Sequence, residues 1–587
     1  MKFSTLCIAS TLAANSVYAS DTKQNKFVKL NFNKSIGNDY NTSSQSNRPL
    51  FKRSDNYQEF ELENQQSFYS VDLNIGTPAQ QITVLVDTGS SDLWVTGTDN
   101  PFCSSNSQSS NRQINIDSVS SSIETNNKDG IIFATEITLG GGIDPLSYLT
   151  GSGFTFSTGD LQSLTATQTA NAATAEATID CSTYGTFDTN SSSTFKSNNT
   201  YFAISYGDNS YASGTWGQDV LDMSGVNITG VSFGVSNFTN STVGVLGIGL
   251  PGAETTYSGT GAAESNRTPY QYANLPIMLR SSGAIEHTAY SLYLDSSDAQ
   301  YGSVLFGAVD HSKYTGDLYT VPIINIYRNQ GYTYPIEFDI TLQGIGISSS
   351  SEQVTISQTK IPALLDSGTT ITYMPADLVS LLAEQIGASF SSTSGFYEMS
   401  CLSSDDDTDL VFDFGGFHIS APLSDFLIST TVSNRQCIFA VVPQASQNVI
   451  LGDVFLRQAY VVYDLENYEI SLGQADYSDD SEDIDIISST VPSAVQAASY
   501  SNTWSTSQDI TSGGNIFTLN SNSTNSNTAT GTVTGTASGT TRGNSRTSTS
   551  SRGRSSSSRV ERTNGQDIIV IPSLILSLAS IALSFIL

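Results

Sequence analysis

From about residue 65 the chain alternates apolar and polar residues in short runs, broken repeatedly by Gly, Ser and Asn. A period of two marks half-buried strands, and closely spaced turn residues bound them. The run Phe68-Tyr69-Ser70-Val71-Asp72-Leu73-Asn74-Ile75, closed by Gly76-Thr77-Pro78, shows the pattern well. Helical periodicity is scarce; Ala376–Ile386, opened by Pro375, is the best instance. The pattern predicts an all-β protein.

The flanks follow other rules. Met1-Lys2 leads an apolar run to about Ala14, and Val17-Tyr18-Ala19 offers a small-residue cleavage site, so residues 1–19 read as a secretory signal peptide. Residues 20–53 carry seven Lys or Arg against two Asp and end in Lys52-Arg53. They read as a basic pro-segment, suited to an acidic cleft and removed after Arg53; the plainer reading is a basic arm with an accidental dibasic pair. Residues 488–560 are rich in Ser, Thr, Asn and Gly with few large apolars. Such a stretch buries too little to fold, so residues 486–564 read as an extended, O-glycosylated stalk. Truncation near Asp485 is then expected to release a soluble and fully active protein. Residues 568–587 are apolar, with Asn564-Gly565 just upstream. Residues 565–587 read as a removable glycosylphosphatidylinositol (GPI) attachment signal with Asn564 as the attachment residue, Ser555 to Ser558 remaining open. A transmembrane tail anchor is the competing reading.

Two short stretches answer each other across the chain. Leu85-Val86-Asp87-Thr88-Gly89-Ser90 and Leu364-Leu365-Asp366-Ser367-Gly368-Thr369 each set a carboxylate after an apolar strand, followed by hydroxyl, glycine and hydroxyl. Each precedes a later apolar-apolar-Gly segment, Val245-Leu246-Gly247 and Ile450-Leu451-Gly452. This is a degenerate internal repeat, and two lobes that each donate one aspartate make a paired-carboxylate site. Two carboxyls in hydrogen-bonding range share one proton. The ionised member can take a proton from water while the protonated one donates to a carbonyl oxygen, which is general acid–base hydrolysis of an amide. Aspartic proteases are the standard instance of such a dyad. Gly89 and Gly368 let backbone N–H groups reach the carboxylates, and Ser90 and Thr369 stand where they can bond the outer oxygens. The plain alternative for either stretch alone is a turn. The first repeat is longer by about 74 residues, most of them in the Ser/Thr/Asn/Gly-rich stretch 104–180. That stretch reads as a surface insertion.

Composition narrows the chemistry. The only histidines, His287, His311 and His418, lie in no metal-ligand spacing, and no nucleophile elbow, phosphate loop or dinucleotide fingerprint is evident. No metal or cofactor is expected. The net charge of −31 disfavours nucleic acid and anionic membrane surfaces as partners. With Cys7 in the leader, Cys103, Cys181, Cys401 and Cys437 remain, an even count that implies two disulfides with three possible pairings. One bridge per lobe, Cys103–Cys181 and Cys401–Cys437, is favoured if the lobes fold separately. Asn-x-Ser/Thr acceptors at Asn190, Asn198, Asn227, Asn237, Asn240, Asn266 and Asn522 fit the secretory pathway.

On the two Asp-hydroxyl-Gly stretches, the Ile204-Ser205-Tyr206-Gly207-Asp208 segment and Ile450-Leu451-Gly452-Asp453, the chain resembles the pepsin-family aspartic proteases over about residues 65–475. The resemblance implies a bilobal pepsin-like fold with the active-site cleft between the lobes. It divides the chain into an N-terminal lobe, 54–287, and a C-terminal lobe, 288–485, and matches one disulfide per lobe. It implies that Asp87 and Asp366 are catalytic, that Thr88, Ser90, Ser367 and Thr369 support them, and that Tyr206, Gly207 and Asp208 form a flap over substrate. It further implies that Gly89, Gly368 and Thr369 line the substrate site and that the Trp94 indole N–H supports Tyr206. The dibasic junction, disulfide-tied insertion, stalk and anchor signal resemble the fungal yapsins and GPI-anchored secreted aspartic proteases of yeasts. That layout implies a monomeric cell-surface enzyme, held in plasma membrane or cell wall, cutting protein and peptide substrates at Lys or Arg. It also allows cleavage within the insertion to leave two disulfide-linked chains. The alternative from another class is a catalytically silent pepsin-like adhesin or binding protein of the cell wall.

Overall fold

The structure, a computed structural model, describes residues 26–36, 67–100, 102–103, 181–206, 210–258, 268–299, 301–392, 395–403, 405–429, 436–478 and 481–518. The leader, the junction at Arg53, the insertion 104–180, flap residues Gly207 and Asp208, Asn564 and the apolar tail lie outside them.

Strands dominate. The first eight are β1 Val28–Ile36, β2 Ser67–Ile75, β3 Gln80–Asp87, β4 Leu93–Thr96, β5 Lys196–Ser205, β6 Tyr211–Met223, β7 Val226–Thr239 and β8 Gly244–Gly247. They form one side of a 14-stranded sheet in the order β5-β6-β7-β4-β8-β3-β2-β1. The sheet continues through Tyr301–Phe306, Ala289–Tyr293, Ala459–Asp464, Glu469–Ala475, Tyr314–Pro322 and Ala494–Gln496. A separate five-stranded sheet in the second lobe carries Asp339–Leu342, Ile361–Leu365, Val449–Leu451, Thr372–Pro375 and Val441–Gln444, in that order. The helix Ala376–Ile386 forms as its pattern predicts, ending at Gly387 in the left-handed region, φ 74°.

The internal repeat is visible as topology. β3 runs parallel to β8, with Asp87 beside Gly247, and Ile361–Leu365 runs parallel to Val449–Leu451, with Leu364 beside Ile450. A third strand pairs antiparallel with each later one, β4 in the first lobe and Thr372–Pro375 in the second. Parallel strands packed on both faces need near-continuous apolar runs, and Leu364-Leu365 and Val245-Leu246 supply them.

Both disulfides are intralobe. Cys103–Cys181 closes the insertion with its Cα atoms 5.3 Å apart, and Cys401–Cys437 lies in the second lobe at 4.9 Å.

Two expectations about the flanks change. The described part of the basic segment is not laid in a cleft. It is β1, antiparallel to β2 on one side and to Tyr301–Phe306 on the other. Val28, Leu30 and Phe32 are buried, and Phe32 packs edge-on against Tyr69 at 5.8 Å. Lys29, between two buried residues, pairs with Glu482, and Lys26, just before the strand, donates to Gly283 O at 3.1 Å. The segment reads basic by count but alternates like a strand, and the alternation decides its place.

The second change concerns residues 486–518, expected as the start of an extended stalk. They wrap the second lobe. Ile484–Ile486 pairs with Ala308–Asp310, and Ala494–Gln496 runs parallel to Tyr314–Pro322. The Thr341 amide donates to Tyr500 Oη at 2.7 Å, and Ser357 Oγ donates to Thr511 O at 2.8 Å. Ile487 and Ile516 are buried, Ile516 over Gly344 and Gly346, where any Cβ would come within 2.8 Å of it. The strap is poor in apolar residues overall, yet Ile487 and Ile516 land on prepared sites, while Ile486 and Val495 stay exposed. The packed unit therefore runs to residue 518, not 485.

Candidate active site

Asp87 ends β3 and Asp366 follows Ile361–Leu365, so both are presented where a buried strand breaks into a turn. The two turns are near mirror images. Gly89 N–H donates to Asp87 Oδ1 at 2.8 Å, and Gly368 N–H to Asp366 Oδ1 at 2.9 Å. Ser90 Oγ donates to Asp87 Oδ2, and Thr369 Oγ1 to Asp366 Oδ2 at 2.6 Å. The glycines are required by space. A Cβ on Gly89 would lie 2.5 Å from Asp366 Oδ1, and one on Gly368 2.4 Å from Asp87 Oδ1. Each glycine thus makes room for the opposite lobe's carboxylate.

Thr88 and Ser367 lock the turns to each other. Thr88 Oγ1 donates to Leu365 O and accepts from Ser367 N, both at 2.9 Å. In return, Ser367 Oγ donates to Val86 O at 3.0 Å and accepts from Thr88 N at 3.1 Å. All of these groups are buried, so each bond broken would leave a polar atom unpaired, at about 1–3 kcal/mol. The later Gly segments buttress the turns from behind: Gly247 N donates to Asp92 O at 3.0 Å, and Asp453 N to Thr369 O at 2.8 Å.

Tyr206 stands at the tip of the β5–β6 hairpin, where its hydroxyl accepts from Trp94 Nε1 at 2.7 Å. Trp94, Phe202, Ile204 and Trp216 form an apolar cluster beneath it.

The electrostatic setting is a ring of buried carboxyls, several of them unmarked by any sequence motif. Burial first, and then the Asp366 carboxylate, push the Asp87 carboxyl up to about 8. Burial pushes Glu337 up to about 7 and Glu254 up to about 9. Asp92, Asp339 and Asp453 are raised as well, again chiefly by burial. Asp92 accepts from Thr255 and from Tyr272 Oη, and both Glu337 oxygens lie 2.9–3.0 Å from Tyr327 Oη. Asp453 stands inside a segment the sequence singled out; Glu337, Glu254 and Tyr327 sit in stretches without a local signature. Glu254 and Tyr327 flank short 3-10 turns, and only the folded chain brings them to the site.

These shifts predict how stability follows pH. A carboxyl whose folded pKa lies above its unfolded value of ~4 contributes stability fully below that value and loses it as pH rises through the folded pKa. For Asp87, Glu337 and Glu254 the loss begins near pH ~4, where the unfolded carboxyls ionise, and is complete at about pH 7 to 9. The expected melting temperature is highest near pH 4 and declines through that window, read by calorimetry in buffers of equal ionic strength. A flat profile from pH 4 to 9 would contradict the buried ring.

Two strand-turn carboxylates, interlocked across two lobes beneath a tyrosine-bearing hairpin, define an aspartic protease. The chain belongs to the eukaryotic aspartyl protease family, whose model matches residues 68–143 and 161–475. It is 52% identical to Aspartic proteinase 3 of Saccharomyces cerevisiae over 96% of this chain and 95% of that protein. It is 46% identical to Aspartic proteinase yapsin-3 of the same yeast, over 84% of this chain and 81% of the relative. Secreted aspartic protease 9 of Candida albicans is 34% identical over 75% of this chain and 82% of its own length. The protein is an aspartic-type endopeptidase of the yapsin kind.

Proposed function

We propose that Asp87 and Asp366 are the catalytic dyad of a cell-surface endopeptidase that works in acid and prefers Lys or Arg at the cleavage site. The observation that carries the dyad is the mirrored hydrogen-bond set, in which glycine and hydroxyl donors hold each carboxylate while Thr88 and Ser367 bind the two turns together. One aspartate takes a proton from the attacking water and the other donates to the substrate carbonyl; the roles reverse as the amine leaves. Tyr206, braced by Trp94, closes over the peptide.

The finer parts rest on the sequence. The net charge of −31, and Asp208 two residues after Tyr206, support a basic-residue preference. The signal peptide, the stalk and the apolar tail with Asn564 support passage through the secretory pathway to a GPI anchor, and similarity to a relative named as secreted points the same way. Removal of the leader and cleavage after Arg53 give the mature enzyme. The stalk proper begins beyond residue 518.

The test is proteolysis by the purified mature chain. Acid-denatured protein is cleaved at about pH 4, and a statine-type mimic of the tetrahedral intermediate blocks it. A folded chain that cleaves nothing leaves the silent wall-binding reading in its place.

A further inference from the structure

The register beside Asp366 brings in a third carboxylate. Asp339–Leu342 runs antiparallel to Ile361–Leu365, with Asp339 opposite Leu364 and Ile340 opposite Ala363. Leu365 N donates to Phe338 O at 3.2 Å, so the pairing continues one step beyond Asp339. Extended past its last pair, this register brings Glu337 near Asp366, and the two carboxylates interact.

The surroundings of Glu337 are those of a receptor for a substrate group. Its carboxylate is oriented by Tyr327 Oη, at 3.0 and 2.9 Å from the two oxygens. It is closely surrounded by protein yet keeps some accessible surface, as a cleft-wall group does. Its neighbour Ile336 touches the other lobe: a Cβ on Gly252 would come within 2.4 Å of Ile336 Cγ2. Glu337 thus lies where the two lobes close on each other. No Lys, Arg or His pairs with it among the described residues. A carboxylate held beside a second carboxylate in a confined space is costly to ionise alone, and a cation brought in by a substrate would favour its charged form.

We infer that Glu337 is a specificity-determining residue whose carboxylate, oriented by Tyr327, receives the cationic side chain of a Lys or Arg flanking the scissile bond. The inference rests on the protease reading above and assigns its basic preference to a residue. Charge-assisted hydrogen bonds are about twice as strong as neutral ones, so the contact is worth roughly tenfold or more in discrimination. The groups facing Glu337 are Tyr327 and Tyr332 on the preceding loop, Asp339 on its own strand, and Asp366 nearby with Asp87 beyond it. Glu337 must be ionised to hold a cation, and burial holds its carboxyl up at about 7. Basic preference therefore rises with pH between about 4 and 7. Titration of the Asp87–Asp366 pair affects all substrates alike and cancels in a ratio.

The experiment compares two peptide series, one with Lys and one with Leu, placed in turn just before and just after the scissile bond. The readout is the Lys/Leu ratio of kcat/KM at pH 4 and pH 6.5. In the wild type the ratio is expected to rise with pH at one of the two positions. In Glu337→Gln it falls there by about tenfold at pH 6.5, through KM, and the pH rise disappears. Glu337→Asp, which keeps the charge, retains most of the preference, and a melting curve verifies that both variants are folded. An unchanged Lys/Leu ratio at both positions in Glu337→Gln overturns the inference while leaving the protease reading intact. Failure of the wild type to cleave either series overturns the reading beneath it.

Discussion

Replacing Asp87 or Asp366 with Asn in the mature enzyme is expected to lower proteolysis by ~10²–10⁴-fold, the range that general acid–base catalysis contributes. Asn is nearly isosteric with Asp, so the Gly89 and Gly368 amides keep an acceptor oxygen and the turns keep their shape. What is lost is the titratable oxygen. With one member unable to take or give a proton, the dyad can neither activate water nor relay the proton onward. The fold should not merely survive but gain slightly at neutral pH, because one of two buried carboxyls no longer needs to stay protonated. Activity against acid-denatured protein and a melting curve at pH 7 read both halves. More than about one per cent of wild-type activity in either pure variant would count against the dyad.

A chain ending at Asp485 is expected to fail as a stable enzyme, whereas one ending at Thr518 is expected to be soluble and active. The shorter chain loses Ile487, Tyr500 and Ile516, two of them fully buried apolar side chains. It also orphans Thr341 N, which donates to Tyr500 Oη, and takes the Thr511 acceptor from Ser357 Oγ, which keeps Thr359. Each buried side chain is worth about 1.5–3 kcal/mol and each orphaned polar group about 1–3 kcal/mol. Together these approach the 5–15 kcal/mol net stability of a typical domain. Secretion yield and specific activity of the two truncations separate the outcomes. Equal yield and activity would show that the strap contributes nothing to the lobe.

Much of this was legible in the chain, and the reasons differ from place to place. The turns at Asp87 and Asp366 were readable because their chemistry is local: carboxylate, hydroxyl and glycine lie within four residues of one another. The Trp94–Tyr206 contact joins residues 112 apart and was reached only through family resemblance. Glu337 was invisible because its significance comes from lying near Asp366, a relation of register rather than of motif. The strap was misread because composition averages over a window, while packing is decided one side chain at a time. Ile516 needs only the gap above Gly344 and Gly346 to be buried, whatever its Ser and Thr neighbours do. β1 was misjudged in the opposite sense, its charge count outweighing a strand alternation that was present all along.

The strap also sets an order of events during synthesis. Chains emerge N-terminus first, at ~5–20 residues per second. The first lobe's strands, from Ser67 to Gly247, are all available before the second carboxylate turn has been made. The second lobe must wait until Phe517 is clear of the ribosome, because its strand Gly344–Ser348 is roofed by Ile516 and Phe517. Until then the floor under Ile516 is open, and the half-built lobe exposes apolar surface to its surroundings. The proposed catalytic pair, which needs a turn from each lobe, therefore completes its setting only late in synthesis, so a nascent chain is inert by timing as well as by any restraint its earlier-made N-terminal segment supplies.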